Sequence, residues 1–325
     1  MKILFIGGTG NISGAVSREV LSQGMELYHL NRGQSTQMEG VHVLQADIND
    51  PEQVGRALQN HTWDAVVNWI AFTPVDVERD LEYFRGRTGQ YIFISSASCY
   101  QKNGHYLITE STPLYNPLWD YSQQKIASED RLMQAYRTEE FPFTVVRPSH
   151  TYETVIPIPV GGFREFTTAR RMLDGKEVIV PGDGTSLWTV THAEDFARAF
   201  VGLLGNPQTI GHAFHITSDE ALTWNQIYHI LGDALGVSPH IVHIPSDFIC
   251  NVEPSFTGTL LADKAHSALF DNTKIKRYVP GWQATIPFYR GIRRTIDWML
   301  GDPSRQWVNT EKDHQIENIL QQFPH

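Results

Sequence analysis

A tyrosine and a lysine stand four residues apart in the stretch 119-WDYSQQKIASED-130, as Tyr121 and Lys125. Positions i and i+4 of a helix share one face, so the two side chains are expected to lie side by side. A nearby ammonium stabilises tyrosinate and is expected to lower the pKa of the phenol from about 10 toward neutrality. Tyr121 would then be a general base for a hydroxyl group whose carbon loses hydride. The other interpretation is two unrelated residues on a solvated helix.

A serine could orient the substrate of such a base. Ser96 ends a predicted strand in 94-ISSASCY-100, and parallel sheets bind their ligands at the ends of strands. Its hydroxyl would hydrogen-bond a substrate oxygen and align it with Tyr121, whereas a lone serine at a strand end is often only a loop residue. Ser98 and Phe72 are further candidates for substrate contact. Core packing is the alternative for Phe72, as it is for Trp69 and Trp119.

A glycine-rich loop, 6-IGGTGNISGAV-16, follows the first predicted strand and opens the first predicted helix. Glycines there allow a tight turn and close approach of a pyrophosphate, and the helix N-terminus supplies N–H donors. The loop therefore predicts a dinucleotide site; an ordinary glycine turn is the other interpretation. Ser13 stands where the fingerprint has its third glycine. The expected contact residues are Gly7, Gly8, Thr9, Gly10, Asn11 and Ile12.

The ends of the next two strands bear on which dinucleotide binds. An acidic residue after the second strand would bind the 2′-hydroxyl of NAD, but the chain has Asn31 and Arg32 there. An arginine can pair with a 2′-phosphate, so NADP is favoured over NAD; a solvated Arg32 is the alternative. Asp47, with Ile48 beside it, follows the third strand and is expected to contact the adenine. A helix cap is the other role for Asp47.

These residues need a scaffold that brings strand ends together, and the first half of the chain alternates strands with helices. Strands are predicted at 2–7, 26–31, 41–45, 65–72, 91–96 and 143–148. Helices are predicted at 13–23, 51–59, 75–84 and 121–136, and later at 193–204, 223–235 and 287–300. This alternation is typical of a doubly wound parallel sheet.

The domain prediction follows from the same pattern. Residues 1–150 form a Rossmann-type NAD(P)-binding domain to which some later segments return. Residues 151–325, where glycine and proline become frequent, form a smaller α+β substrate-binding lobe. The fold class is therefore α/β.

Composition limits the class of protein. The 325 residues include 41% apolar and 19% charged side chains, and 36 acidic against 26 basic residues give a net charge of −10. This balance argues against a surface for nucleic acid or anionic lipid. The short apolar start predicts a buried strand and no signal peptide. Two cysteines fit a reduced cytoplasm. The pairs His212/His215 and His240/His243 lie on predicted strands, where residues three apart point to opposite faces, so no metal site is expected.

The landmarks in order resemble the extended short-chain dehydrogenase/reductases, in particular the NAD-dependent epimerase/dehydratase group that includes UDP-galactose 4-epimerase. The resemblance extends from the glycine loop and Asp47 through Ser96, Tyr121 and Lys125 to 147-RPSHTY-152, 182-GDGTSLWTVTHAED-195 and 271-DNTKIKR-277. It implies a Rossmann cofactor domain, a Ser96–Tyr121–Lys125 triad in which Lys125 also holds the nicotinamide ribose, and often a dimer.

The departures from that pattern concern the substrate. His150 stands where members acting on nucleotide-diphosphate sugars commonly have Asn, and Trp188 stands where they have a diphosphate-binding Arg. Loss of that bidentate donor weakens pyrophosphate recognition, while an indole offers a platform for a sugar ring. Ala97 and Ser98 replace the Asp-Glu pair of sugar 4,6-dehydratases, which disfavours elimination of water.

The sequence thus predicts a cytoplasmic, homodimeric NAD(P)-dependent epimerase or dehydrogenase/reductase. Its substrate is a small molecule, a sugar or sugar-like hydroxyl or carbonyl compound. Two alternatives stay open: an NADPH-dependent carbonyl reductase of a non-sugar substrate, and a non-catalytic RNA-binding relative. The net charge and the absence of a Lys/Arg cluster disfavour the second, so we expect no nucleic acid and no membrane partner.

Overall fold

The computed structural model describes residues 1–34, 38–102, 104 and 107–324 of the chain. Its strands are β1 (Lys2–Ile6), β2 (Glu26–Asn31), β3 (His42–Gln45), β4 (Ala65–Asn68), β5 (Tyr91–Ile94), β6 (Leu107–Ile108), β7 (Phe143–Pro148), β8 (His150–Tyr152), β9 (Glu177–Pro181), β10 (Leu187–Trp188), β11 (Val190–His192), β12 (Ala213–Ile216), β13 (Leu222–Thr223), β14 (His240–Ile244) and β15 (Leu269–Phe270).

The helices follow the same numbering along the chain. They are α1 (Asn11–Ser22), α2 (Pro51–Ala57), α3 (Pro74–Phe84), α4 (Asp120–Glu139), α5 (Thr167–Leu173), α6 (Ala193–Val201), α7 (Trp224–Leu235), α8 (Ser246–Val252), α9 (Thr273–Tyr278), α10 (Phe288–Leu300) and α11 (Thr310–Gln322). A single π-helical turn spans Leu260–Lys264. No helix among the described residues is both long and apolar enough to cross a membrane.

The main sheet of the described chain has seven strands in the order β3-β2-β1-β4-β5-β7-β12. Every neighbouring pair is parallel. Because β1 lies inside the sheet with β2 on one side and β4 on the other, the strand order reverses there, and the carboxyl ends around β1 form the crevice in which such sheets bind ligands. The predicted Rossmann-type doubly wound sheet is confirmed.

Both faces of this sheet are covered, which explains why its strands are nearly continuous apolar runs. Along β1, Ile3 and Phe5 face a core that includes residues of α1 and α6, whereas Leu4 and Ile6 face a core that includes residues of α2, α3 and α4. All four side chains are completely buried. Helix α6 and strand β12 come from the second half of the chain, so segments after residue 150 contribute to the layers of the main sheet.

Two predicted strands end earlier than expected, and in both a side chain turns the backbone. The amide oxygen of Asn68 accepts the N–H of Ile70 at 2.9 Å, which ends β4 before the segment containing Ala71 and Phe72. After β5, the hydroxyl of Ser96 accepts the N–H of Ser98 at 3.2 Å and opens a 3₁₀ turn. Short polar side chains compete with the sheet ladder in this way.

The remaining segments form a smaller α+β lobe beyond the carboxyl ends of the sheet. Its described strands pair two by two: β9 with β14, β8 with β11 and β6 with β15 in parallel, and β10 with β13 antiparallel. Trp224, fully buried at the start of α7, lies in the core of this lobe and donates its indole N–H to the carbonyl of Lys264 at 3.0 Å. The lobe confirms the predicted fold class; the boundary at residue 150 stays a prediction.

Candidate active site

Helix α4 places Tyr121 and Lys125 on one face, one turn apart, as the sequence spacing predicts. The phenol ring of Tyr121 packs between two other aromatic rings. Its centroid lies 5.2 Å from that of Trp119 and 6.2 Å from that of Phe72. The tyrosine is therefore held by aromatic contacts at the start of the helix.

Lys125 ties this helix to the carboxyl ends of two neighbouring strands. Its ammonium donates to the carbonyl of Ala71, beyond β4, and to that of Ile94, the last residue of β5, each at 2.7 Å. The side chain is buried, and the ammonium lies 5.8 Å from the ring centroid of Tyr121. Burial lowers the pKa of Lys125 to about 8, so the residue is still mostly charged at neutral pH.

The pKa of Tyr121 is higher than the sequence predicts. Burial raises the pKa of this phenol to about 12, and a hydrogen bond with Ser96 opposes the rise only in part. Burial outweighs the lowering expected from Lys125, whose ammonium donates to two backbone carbonyls. Tyr121 is therefore protonated at neutral pH in this structure and is set to donate a proton before it can accept one.

Ser96 belongs to a chain of hydroxyl groups that runs into the protein. Its Oγ lies 2.8 Å from the Oγ of Ser98, which in turn lies 2.8 Å from the Oγ of Ser122 on α4. Asn116 fixes this chain by donating its amide to the carbonyl of Ser98 at 2.8 Å. The orientation of Ser96 is thus set by partners in two other segments, which the sequence did not indicate.

The glycine loop follows β1 and opens α1, as predicted. Gly8 has a φ of +110°, and a Cβ built on it would lie 2.5 Å from Nε2 of the His29 ring. Ser13, the departure from the fingerprint, is buried and accepts the N–H of Gly10 at 2.8 Å. Asn11 points away from the loop toward the second lobe and donates to the carbonyl of Thr151 at 3.0 Å.

The other residues predicted to contact a dinucleotide follow β2 and β3. Asn31 accepts the N–H of Gly33 at 2.8 Å, and Arg32 is exposed. Asp47 is not the cap of α2, because Asp50 accepts the first N–H groups of that helix. The Asp47 carboxylate instead accepts the N–H of Asn49 at 2.9 Å. Ile48, also predicted to contact the dinucleotide, is buried.

A cavity of about 620 Å³ lies between Tyr121 and the second lobe. It gathers residues that are far apart in the sequence, and its wall contains both the proposed catalytic hydroxyls and all four residues predicted for the substrate. These are Ser96, Tyr121, Phe72, Ser98, His150 and Trp188. Trp119 also contributes to the wall, whereas Trp69 packs in the core against Phe5 and Phe200.

Apart from Oδ1 of Asp263, which forms an ion pair with Lys102, three buried polar atoms of the cavity residues have no hydrogen-bond partner within the described part of the chain. They are Oγ of Ser149, Nε2 of His150 and Nε1 of Trp188. Buried polar groups are usually satisfied, and each exception needs an explanation.

Trp188 does not present an open face to this cavity, contrary to the expected stacking platform. Only 2% of the residue is exposed. The ammonium groups of Lys102 and Lys264 lie 5.2 and 5.4 Å from its ring centroid, and Trp224 packs 5.4 Å away. The indole supports two lysines that the sequence analysis did not single out.

Two further residues near the site have structural roles. Cys99 is fully buried and burial raises its pKa to about 12, which fits a packed side chain and not a nucleophile. His192 accepts the N–H of Glu194 at 3.2 Å and caps α6. The described residues contain no group of three His, Cys, Asp or Glu side chains arranged for a metal.

Comparison with known proteins shows the family of this chain. The sequence pattern of the NAD dependent epimerase/dehydratase family matches residues 3–217, about two thirds of the chain. The chain belongs to the NAD dependent epimerase/dehydratase family. The glycine loop, Ser96, Tyr121, Lys125 and Trp188 all fall within the matched range.

Individual relatives are more distant. The dTDP-glucose 4,6-dehydratase of Salmonella typhimurium is 25% identical over 390 residues, covering 99% of this chain and 98% of that protein. The chloroplast stem-loop binding protein of 41 kDa b of Arabidopsis thaliana is 25% identical over 336 residues, covering 98% and 84%. The structure of UDP-glucuronic acid 4-epimerase from Bacillus cereus in complex with NAD superposes with a TM-score of 0.74 at 17% identity, covering 93% of this chain and 99% of that one. The superposition shows a shared fold.

Proposed function

We propose that the protein is an NAD(P)-dependent sugar-modifying enzyme that acts on a hydroxyl or carbonyl group by Tyr-Lys-Ser chemistry. The observation that carries this proposal is the cavity wall. Tyr121 and Ser96 line the same cavity as three residues with unpartnered buried polar atoms, and the ammonium of Lys125 lies 5.8 Å from the ring centroid of Tyr121. A polyhydroxylated substrate would satisfy those polar atoms and bring a reacting oxygen to Tyr121.

The glycine loop fits a dinucleotide in its local geometry. Gly8 has no room for a side chain, and the loop face formed by Thr9 and Gly10 is exposed. The first turn of α1 contains no acidic residue, so its positive dipole end is available to a diphosphate. When bound there, NAD(P) supplies the hydride acceptor or donor of the reaction. Lys125 is the residue we assign to the nicotinamide ribose.

The protein's own residues then move one proton at the substrate oxygen. In the reductive direction Tyr121, protonated because its pKa is high, donates its proton to the carbonyl oxygen. In the oxidative direction it takes the proton of the hydroxyl group, and the ammonium of Lys125, 5.8 Å from the ring centroid, favours the tyrosinate. Ser96 hydrogen-bonds the same substrate oxygen, oriented by the hydroxyl chain to Ser98 and Ser122.

Substrates of the named relatives support a sugar. The relatives include a dTDP-glucose 4,6-dehydratase, and the superposed structure is a UDP-glucuronic acid 4-epimerase. His150, with one ring nitrogen unpartnered, is the residue we assign to a sugar hydroxyl. Burial lowers the pKa of His150 well below its usual value, so the ring is neutral and can accept as well as donate.

The type of reaction is a finer proposal. We favour epimerisation or net oxidation/reduction over dehydration because Ala97 and Ser98 follow Ser96 where sugar 4,6-dehydratases have two acidic residues. Because a dehydratase is among the relatives, dehydration is the third reaction to test. The exposed Arg32 beyond β2 favours NADP over NAD.

Analysis of the purified protein separates these reactions. An epimerase retains its cofactor, so it should co-purify with NAD(P) and convert a sugar nucleotide into its epimer without net cofactor turnover. A dehydrogenase or reductase should lack tightly bound cofactor and consume it stoichiometrically. A dehydratase would release a 4-keto-6-deoxy product, which would overturn the reasoning from Ala97 and Ser98.

A second candidate function is RNA binding, favoured by the similarity to the chloroplast stem-loop binding protein. The net charge of −10 disfavours it. An electrophoretic shift assay with stem-loop RNA at several salt concentrations tests it. Salt-dependent binding at micromolar protein would support an RNA-binding role, and its absence would leave the enzyme.

A further inference from the structure

The cavity has an electrostatic character opposite to that of the whole chain. The chain carries a net charge of −10, yet basic residues predominate among the described residues that line the cavity. The ionisable side chains other than Tyr121 and His150 are Lys102, Arg164, Lys264 and Lys312 against Glu165 and Asp263. An acidic protein that gathers positive charge in one cavity attracts anions there.

Two of these lysines share a single carboxylate deep in the wall. Asp263 pairs with the ammonium of Lys102 through one oxygen and with that of Lys264 at 2.9 Å through the other. All three residues are buried, with 8% or less of each exposed. The cluster therefore gathers two lysines and one carboxylate away from bulk water, and when both lysines are protonated one positive charge is left without a partner among the described residues.

An excess buried charge destabilises a protein unless another group compensates it. Burial lowers the pKa of both lysines, to about 8 for Lys264, so each ammonium is stabilised when an anion arrives. The indole of Trp188 lies within 5.4 Å of both ammonium groups and keeps them at the cavity wall. The cluster thus lacks one negative charge, and the indole of Trp188 packs against both of its ammonium groups.

Local backbone and neighbours connect the cluster to the reacting groups. Asp263 and Lys264 belong to the π-helical turn, a rare conformation that is frequent at functional sites. The ring of Trp119 lies 5.2 Å from that of Tyr121 and 5.9 Å from the ammonium of Lys264. The indole of Trp119 therefore contacts both the proposed proton donor and the cluster.

We infer that Lys102 and Lys264 form a binding site for an oxyanion of the substrate, either a phosphate or a carboxylate. The inference rests on the proposed function, in which the cavity takes the substrate. It makes the substrate an acidic sugar or a phosphorylated sugar derivative, with its anionic group held against Trp188 while its hydroxyl or carbonyl lies at Tyr121. Lys102 and Lys264 supply the positive charge that a diphosphate-binding arginine, at the position of Trp188, supplies in members that act on nucleotide-diphosphate sugars.

Binding measurements on the full chain test the site without requiring turnover. The probes are inorganic phosphate, pyrophosphate and D-glucuronate, with D-glucose as the neutral control, followed by tryptophan fluorescence and by the shift in melting temperature. At least one oxyanion should bind while D-glucose at the same concentration does not. A phosphate or pyrophosphate response assigns a phosphorylated substrate, and a glucuronate response assigns a uronic acid.

Variants that remove either a lysine or the carboxylate of the cluster make the test specific. Lys102→Met and Lys264→Met should each weaken oxyanion binding at least tenfold, whereas Lys276→Met, on the exposed surface of α9, should not. Asp263→Asn removes the competing carboxylate and should tighten binding severalfold. Because each lysine variant leaves one ammonium with one carboxylate, its ligand-free melting temperature should be unchanged or higher.

Two results would overturn the inference. One is oxyanion binding of equal strength in the wild type and both lysine variants; the other is that no oxyanion binds better than D-glucose. A purely structural cluster would instead show a lower melting temperature in both lysine variants. Tyr121→Phe should lose turnover and keep oxyanion binding, so failure of the proposed chemistry is distinguishable from failure of this site.

Discussion

The glycine loop offers a quantitative prediction, because Gly8→Ala perturbs it in two ways. The first is conformational: an alanine at a φ of +110° adopts backbone geometry that costs about 1–3 kcal/mol. The second is steric, because the new Cβ would lie 2.5 Å from Nε2 of His29. That ring cannot retreat easily, since it is buried, stacks on Phe5 at 5.9 Å and hydrogen-bonds Ser17 at 3.0 Å.

Overpacking of this kind adds about 1–3 kcal/mol, so the expected loss in the free energy of unfolding is about 2–6 kcal/mol. Gly24→Ala is the matched control. Gly24 has a φ of +70°, and nothing lies within 4 Å of its added Cβ. It should lose only the conformational part, about 1–2 kcal/mol.

Urea denaturation of both variants measures these losses, and titration with NADH and NADPH measures cofactor affinity. Gly8→Ala should bind either cofactor at least tenfold more weakly, while Gly24→Ala should bind as the wild type does. The loss from Gly8→Ala should also shrink in a His29→Ala background, because the two side chains contact each other. If Gly8→Ala were no less stable than Gly24→Ala and kept its cofactor affinity, the account of the loop would be refuted.

Three other predictions concern the cofactor, the proton and the hydroxyl chain. Arg32→Ala should weaken NADPH binding about tenfold with little change for NADH, compared with Arg56→Ala on the exposed surface of α2; equal loss for both cofactors would contradict the 2′-phosphate assignment. Reductive kcat/KM should be level below pH 8 and fall about tenfold per pH unit above it. The reason is that Lys125 loses its charge above a pKa of about 8, while Tyr121 stays protonated up to a pKa of about 12. A rate that is level to pH 10 would contradict this prediction. Ser122→Ala removes the partner of Ser98 at 2.8 Å and should lower kcat about threefold to tenfold with the pH profile unchanged; an unchanged kcat would show that the hydroxyl chain does not orient Ser96.

The sequence predicted the architecture because its signals were local and repeated. Most strands of the main sheet are apolar runs that alternate with helices, as is typical of a parallel sheet. The same logic located Ser96 at the end of β5 and Tyr121–Lys125 on α4. Strand ends were less predictable, since the turn after β4 depends on one hydrogen bond from Asn68.

The electrostatics of the site were less accessible to sequence reasoning. The rise in the pKa of Tyr121 comes from burial, which depends on tertiary structure. Lys264 and Asp263 meet Lys102 only through folding across about 160 residues, without a spacing that reveals it. The sequence signal for a role of Lys102 in the site is its position two residues after the stretch 94-ISSASCY-100.

Hydride transfer that depends on Tyr121 is the central claim, and one comparison tests it most directly. Purified wild type, Tyr121→Phe and Tyr115→Phe would each be mixed with NAD(P) and a panel of sugar nucleotides and uronic acids. Reduced nicotinamide and epimerised or oxidised sugar would then be measured. Tyr115 is 60% exposed and does not line the cavity, so it controls for loss of a phenol hydroxyl. The account predicts that Tyr121→Phe loses 100-fold or more of the rate while Tyr115→Phe retains it, in line with the ~10²–10⁴-fold contribution of general acid–base catalysis. Equal turnover in wild type and Tyr121→Phe would contradict the account.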